Sequence, residues 1–248
     1  MKLFALAVAA ASMLWAAELK KETVAAFERY IVEADKQPFP AIRPKPGEVL
    51  TRPVAGEAIR EVPSGLIHDW IGAVFIPETT LGQTLALIQD YDRHTQFYKP
   101  EVIASRTLKR DGRRFHIYLR WLKKKVITVV LSTEHDVLYE ALDDKHWRSR
   151  SHTTRIAEVQ NAGKANEREL PPGTGHGFLW RLNSYWDFEE KDGGVYVACR
   201  AISLTRNVPT GFGWIIQPII RDLPRESLVS TLRNTREALR GAAPPAGK

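Results

Sequence analysis

The feature that most constrains this chain is its last long stretch, Pro209 to Leu239, in which Leu228, Leu232, Thr235 and Leu239 recur at three- and four-residue spacing. That spacing predicts an amphipathic helix with one side to bury. The segments upstream alternate apolar and polar residues with period two, and they lack the repeated crossover helices that a parallel sheet needs on both faces. A curved antiparallel sheet wrapped around one long helix meets both burial requirements, which makes the fold class α+β. Gly211 and Gly213 loosen the chain, and Pro218 and Pro224 interrupt helical hydrogen bonding. The expectation is therefore a turn and short helix over `FGWIIQPII`, with the continuous helix starting near Pro224.

The strands can be placed by pattern. In Leu66 to Ile76, Leu66, His68, Trp70, Val74 and Ile76 share one side, with Gly72 at a bend or a close approach. Thr79 or Thr80 caps a helix whose buried stripe is Leu81, Leu85 and Ile88. Val102 to Leu108 turns through Asp111 and Gly112 into Arg114 to Leu122, where Phe115, Ile117, Leu119 and Trp121 face inward. Lys125 to Leu138, Trp147 to Val159, Gly177 to Glu190 and Val195 to Thr205 follow, the last two joined by a turn at Asp192, Gly193 and Gly194. Asn161 to Gly175 reads as a loop. Seven strands result.

Residues 1–17 carry Lys2, then an apolar run, then small residues, the layout of a secretory signal peptide. Export to the periplasm or the exterior is expected, with cleavage after Ala16 or Ala17. Residues 18–63 contain a first helix, with Val24, Phe27, Ile31 and Ala34 on one face, and a stretch whose prolines predict a linker or extended surface crossing. The compact domain runs over 64–241, and 242–248 form a flexible tail. The single cysteine, Cys199, excludes an intrachain disulfide, so the domain relies on its core.

Lysine and arginine number 36 against 29 acidic residues, a formal charge of +7. The charges are interspersed and form no dominant basic block, so nucleic acid is not an expected partner. No `GxSxG`, `HExxH` or glycine-rich phosphate loop occurs. Glu134 and Asp136 point to one side of their strand and His135 to the other, which precludes a compact triad unless a bulge intervenes. The histidines are scattered singly, and no metal or cofactor is expected.

The segments `FIPETTLGQTLALIQDYDRHTQFYKPEV`, `YWDFEEKDGGVYVACRAISLTRNVP` and `IIRDLPRESLVSTLRNTREAL` resemble the START-like superfamily, also described as the Bet v 1-like or polyketide cyclase/coenzyme Q-binding group. The likeness covers roughly Ser64 to Arg240. It implies a seven-stranded antiparallel grip around the C-terminal helix, with a cavity between them for a lipid, sterol, quinone or polyketide. Some members are enzymes, so a cyclase or aromatase is one alternative reading and a structural or interaction domain is another.

The candidate ligand-binding residues are Trp70, Leu119, Trp121, Trp180, Leu182, Trp186, Cys199, Ala201, Leu228 and Leu232, with Trp214 at the entrance or sealing the core. Arg155 shares a phase with Trp147, Ser149, Ser151 and Thr153 and would point inward to an anionic headgroup; a bulge would turn it outward. The expected partner is a hydrophobic small molecule, with transient contact at a membrane surface. The competing reading is that Trp70, Trp121, Trp147, Trp180 and Trp186 fill the interior.

Overall fold

The computed structural model describes residues 17–54, 56–124, 128–207 and 213–242, with no side-chain description for 213–220 and 242. The expected signal segment, apart from Ala17, and nearly all of the expected tail lie outside the described residues. In chain order the elements are β1 (Ala17–Glu18), α1 (Lys21–Asp35), β2 (Val49–Pro53), β3 (Ile59–Val62), β4 (Gly65–Pro77) and α2 (Leu81–Ile88). A 3-10 turn (Tyr91–Arg93) leads to α3 (His94–Phe97), β5 (Val102–Asp111), β6 (Arg114–Lys124), β7 (Thr128–Ala141) and β8 (His146–Gln160). The chain closes with β9 (Arg168–Glu169), β10 (Thr174–Gly175), β11 (Arg181–Lys191), β12 (Gly194–Arg206) and α4 (Gly213–Ala242).

The main sheet runs β2-β4-β12-β11-β8-β7-β6-β5, with β3 also on β4 and β9 on β8, and all its pairs are antiparallel. It has ten strands among the described residues rather than seven. The seven long strands are those that the alternation marks. The other three are short: β2 and β3 come from the proline-rich stretch, and β9 from the segment read as a loop. Prolines set the limits of β2 and β3 without forbidding them, since Pro53 ends an edge strand and Pro63 follows the next.

Local chemistry accounts for the junctions. Between β11 and β12, Asp192 and Gly193 have φ of 55° and 76°, the positive values that a two-residue primed hairpin turn requires. Thr80 caps α2 through a capping box: its hydroxyl accepts from Gln83 N at 3.2 Å, and its N–H donates to the Gln83 side chain at 2.9 Å.

The two sheet faces are covered differently. On the concave side Leu228, Leu232, Thr235 and Leu239 of α4 are all buried. A methyl group at Gly72 of β4 would stand 2.7 Å from Leu232 Cδ1 and 3.2 Å from Leu228 Cδ2, so the missing side chain lets the helix settle onto the strand. The helix begins at Gly213 and continues through Pro218 and Pro224, earlier than the prolines suggest. Each proline removes one i→i−4 hydrogen bond, a local cost that burial of the distal stripe outweighs.

The convex side is covered by α1, whose Phe27 and Ala34 pack with Ile67, Trp180, Ile202 and Leu204. Beneath the helix, Arg200 donates to both carboxylate oxygens of Asp69, at 3.0 and 2.7 Å, and the Tyr30 hydroxyl donates to Asp69 Oδ2 at 2.7 Å. A buried ion pair is tolerable only with this degree of hydrogen bonding, and α1 supplies part of it.

Candidate functional site

Because α4 seats itself chiefly on β4, it does not reach all of the concave face. The result is a cavity of about 230 Å³ between helix and sheet. Its walls are Ile117, Leu119 and Trp121 of β6, alternate residues of β7 from Val129 to Tyr139, Leu182 and Trp186 of β11, Cys199 and Ala201 of β12, and Leu223, Pro224 and Leu228 of α4. Ile88, Tyr91, His94 and Tyr98, from α2 through α3 to the residue after it, close the end next to Tyr139. At the other end stand Trp121, Leu131, Phe178, Leu179 and Lys123, the last paired with Glu101.

The polar groups inside form two chains. Thr133 has one hydroxyl hydrogen, which it donates to the Leu119 carbonyl at 3.0 Å, so Trp121 Nε1 at 3.1 Å and His135 Nε2 at 2.9 Å both donate to it. The His135 proton is thereby placed on Nε2. Burial holds His135 neutral, lowering it to about 4, with nearby His152 and His116 adding to the effect. In the second chain, Tyr91 OH and Tyr139 OH lie 2.7 Å apart, and Tyr139 also bonds Ser149. Burial pushes both phenols up, Tyr139 far above its ordinary value, so neither ionises near neutrality. Tyr98 OH meets Thr235 Oγ1 at 3.1 Å, and His94 Nε2 meets the Ile88 carbonyl at 3.0 Å. Burial also drives the Cys199 thiol up, away from the thiolate that a nucleophile needs.

Of the sequence candidates, Leu119, Trp121, Leu182, Trp186, Cys199, Ala201 and Leu228 line this cavity. Leu232 instead seals α4 to β4 at Gly72. Trp70 lies on the helix side of β4 but under α4, with the Arg225 guanidinium 5.9 Å from its ring centroid, outside the cavity. Trp180 is on the convex face with α1, because regular alternation starts only at Arg181 and the phase of β11 does not extend back to it. Arg155 also points outward: the register slips between Glu134/Arg155 and His135/Thr153, and the guanidinium pairs with Glu169 of β9. The Trp214 side chain lies outside the described residues.

The tyrosines, His135, Thr133 and Ser203 went unmarked as site residues. Strict alternation along β7 from Val129 carries the signal for His135 and Tyr139, whereas Tyr91 sits in a 3-10 turn with no periodicity to read.

On the opposite side of β7, His116 Nδ1 is 2.7 Å from Asp136, and Glu134 and His152 lie at 3.4 and 3.9 Å from the same pair. Among the described residues, no group of three or more histidine, cysteine or acidic side chains is arranged to hold a metal ion.

The architecture is a helix grip, an α+β fold in which an antiparallel sheet curves around a C-terminal helix, and this is the fold of the START-like and Bet v 1-like superfamily. No protein-family model and no curated protein matches the sequence. Among solved structures the chain is similar to TTHA0849 from Thermus thermophilus, with 16% identity over 70% of this chain and 98% of that one and a TM-score of 0.50. It is also similar to fragment 25-204 of a STAR-related lipid transfer protein from Xanthomonas axonopodis (18% identity, 77% and 98% coverage, TM-score 0.48). A third is the Zhui aromatase/cyclase from Streptomyces sp. R1128 (10% identity, 73% and 98% coverage, TM-score 0.45).

Proposed function

We propose that this protein binds and carries a compact hydrophobic molecule in the cavity between α4 and the sheet. The observation that carries the reading is the cavity itself: an apolar space of about 230 Å³, walled by Trp121, Trp186, Leu119, Leu182 and Leu228. Size narrows the class. An engineered apolar cavity of roughly 150 Å³ takes benzene, so this one takes about nine non-hydrogen atoms by proportion. That suits a substituted single ring, such as a quinone or phenol head, or a short chain. A whole sterol would have to spread α4 from the sheet.

Export is part of the proposal, from the basic start and apolar run of residues 1–17. Delivery by transient contact with a membrane surface is a further part, supported by exposed Arg221 and Arg225 on α4 beside the cavity. No helix among the described residues is long and apolar enough to cross a membrane.

The test combines extraction of co-purified small molecules with calorimetric titration of a panel of monocyclic quinones, phenols and short-chain compounds. Ala201 faces the cavity, so Ala201→Phe should fill it, lowering affinity about tenfold or more while the protein stays folded. Absence of any extracted ligand, no uptake from the panel by the parent, and a sharp loss of stability in Ala201→Phe would together mean a filled core and no carrier.

A further inference from the structure

Nearly every buried polar side chain around the cavity is accounted for by another: Thr133 with His135 and Trp121, Tyr91 with Tyr139, Tyr98 with Thr235. Ser203 of β12 is the exception. Its side chain lines the cavity and is only 4% exposed, yet its Oγ has no hydrogen-bond partner among the described residues. Directly across the ladder stands His68 of β4, fully buried, with Nε2 at 2.9 Å from Thr205 Oγ1 and Nδ1 without a partner among the described residues. Two positions along β4, opposite cavity-lining Ala201, comes Trp70, whose buried Nε1–H is likewise unmatched. Buried polar atoms without partners are costly and uncommon, and three at neighbouring positions of one ladder are a niche of unspent hydrogen-bonding capacity.

We infer that Ser203, with His68 and Trp70 behind it, is the subsite for the ligand's polar group, and that this group is a neutral hydroxyl. The inference rests on the carrier reading above and adds the chemistry at one end of the ligand. A hydroxyl both donates and accepts: it can give a hydrogen bond to Ser203 Oγ, the member of the niche that lines the cavity, and leave the Ser203 hydrogen to turn to the unprotonated His68 Nδ1 across the ladder. A ketone oxygen could only accept.

A carboxylate fits less well. Burial and the nearby Arg221 charge lower His68 to about 4, so it is neutral near pH 7 and brings no countercharge. Arg221 acts on His68 and the Arg225 guanidinium stands 5.9 Å from the Trp70 ring centroid, but both side chains are exposed and neither lines the cavity. An anion placed there would be buried without direct compensation. The tyrosine end of the cavity offers no comparable demand, because its hydroxyls already satisfy one another.

The probes are para-ethylphenol, which has nine non-hydrogen atoms, ethylbenzene, which lacks the hydroxyl, and phenylacetate, which has a carboxylate in its place. Calorimetry on the full chain should show para-ethylphenol binding about tenfold tighter than ethylbenzene, with phenylacetate weakest. In Ser203→Ala the preference over ethylbenzene should fall to threefold or less while ethylbenzene affinity is kept. The imidazole 15N resonances of His68 should move on adding para-ethylphenol and stay in place with ethylbenzene.

Equal binding of the phenol and the hydrocarbon by the parent would mean that the niche holds only water, and would overturn the subsite while leaving the carrier reading intact. A preference that survives Ser203→Ala and disappears in Tyr139→Phe would move the hydroxyl to the tyrosine end and overturn it equally. Failure of all three probes to bind would count against the carrier reading itself.

Discussion

The seam between Gly72 and Leu232 fixes the height of α4 above the sheet, and its strength can be worked out before it is measured. Leu232 is fully buried, so Leu232→Ala should cost about 2–5 kcal/mol in transfer and cavity terms. Gly72→Ala should cost about 1–3 kcal/mol by overpacking, because its methyl would meet Leu232 Cδ1 at 2.7 Å and Thr51 Cγ2 at 2.8 Å. Against this stands a gain of roughly 0.5–1 kcal/mol from replacing glycine within a strand.

If the two effects were independent they would add. Removing Leu232, however, removes the nearer obstacle to the new methyl, so the double variant should be little worse than Leu232→Ala alone. The coupling should be about 1–2 kcal/mol, reduced by the remaining contacts with Thr51 and Leu228. Urea unfolding of the four proteins with a shared m-value measures it. Additivity within about 0.5 kcal/mol would show that α4 does not rest on Gly72, and the account of why the cavity stays open would fail with it.

Other outcomes follow from the same structure. Ser203→Ala removes a buried hydroxyl that has no partner among the described residues, so the ligand-free protein should become more stable, by up to about 1–3 kcal/mol, and a lower melting temperature would show that the hydroxyl is satisfied after all. His68, His94 and His135 are each lowered from 6.5 to about 4, mainly by burial. Below pH 6.5 the unfolded chain therefore binds protons that the folded one does not, and stability is lost as pH falls from 6.5 to 4, by roughly 3 kcal/mol for each histidine. A melting temperature that stays flat across that window would mean that these rings are charged or solvated in the folded state. Protein recovered from the cell envelope should begin near Ala17 or Glu18, and N-terminal sequencing that returned intact Met1 would contradict export.

Periodicity in the sequence determined the seven long strands, their hairpin turns and the buried stripe of α4, because alternation and helical spacing report which side of an element is covered. It could not report what covers it. The short strands β2 and β3 are held by pairing to the edge of β4, a long-range contact that proline density masks in a local reading. Arg155 shows the limit most directly. Its neighbours fix a phase, but one extra residue in β8, opposite the step from Glu134 to His135, turns its side chain from the cavity to Glu169. Trp180 fails for the same reason at a strand end, where alternation has not yet begun.

Seven of the twelve candidate lining residues, Leu119, Trp121, Leu182, Trp186, Cys199, Ala201 and Leu228, were legible because they lie inside regular elements with an unbroken phase. The niche at Ser203, His68 and Trp70 was not, although all three identities are in the sequence. Whether a polar atom has a partner depends on side chains from β4, β12 and α4 meeting in three dimensions, and only the packed structure decides which of them are left unmatched.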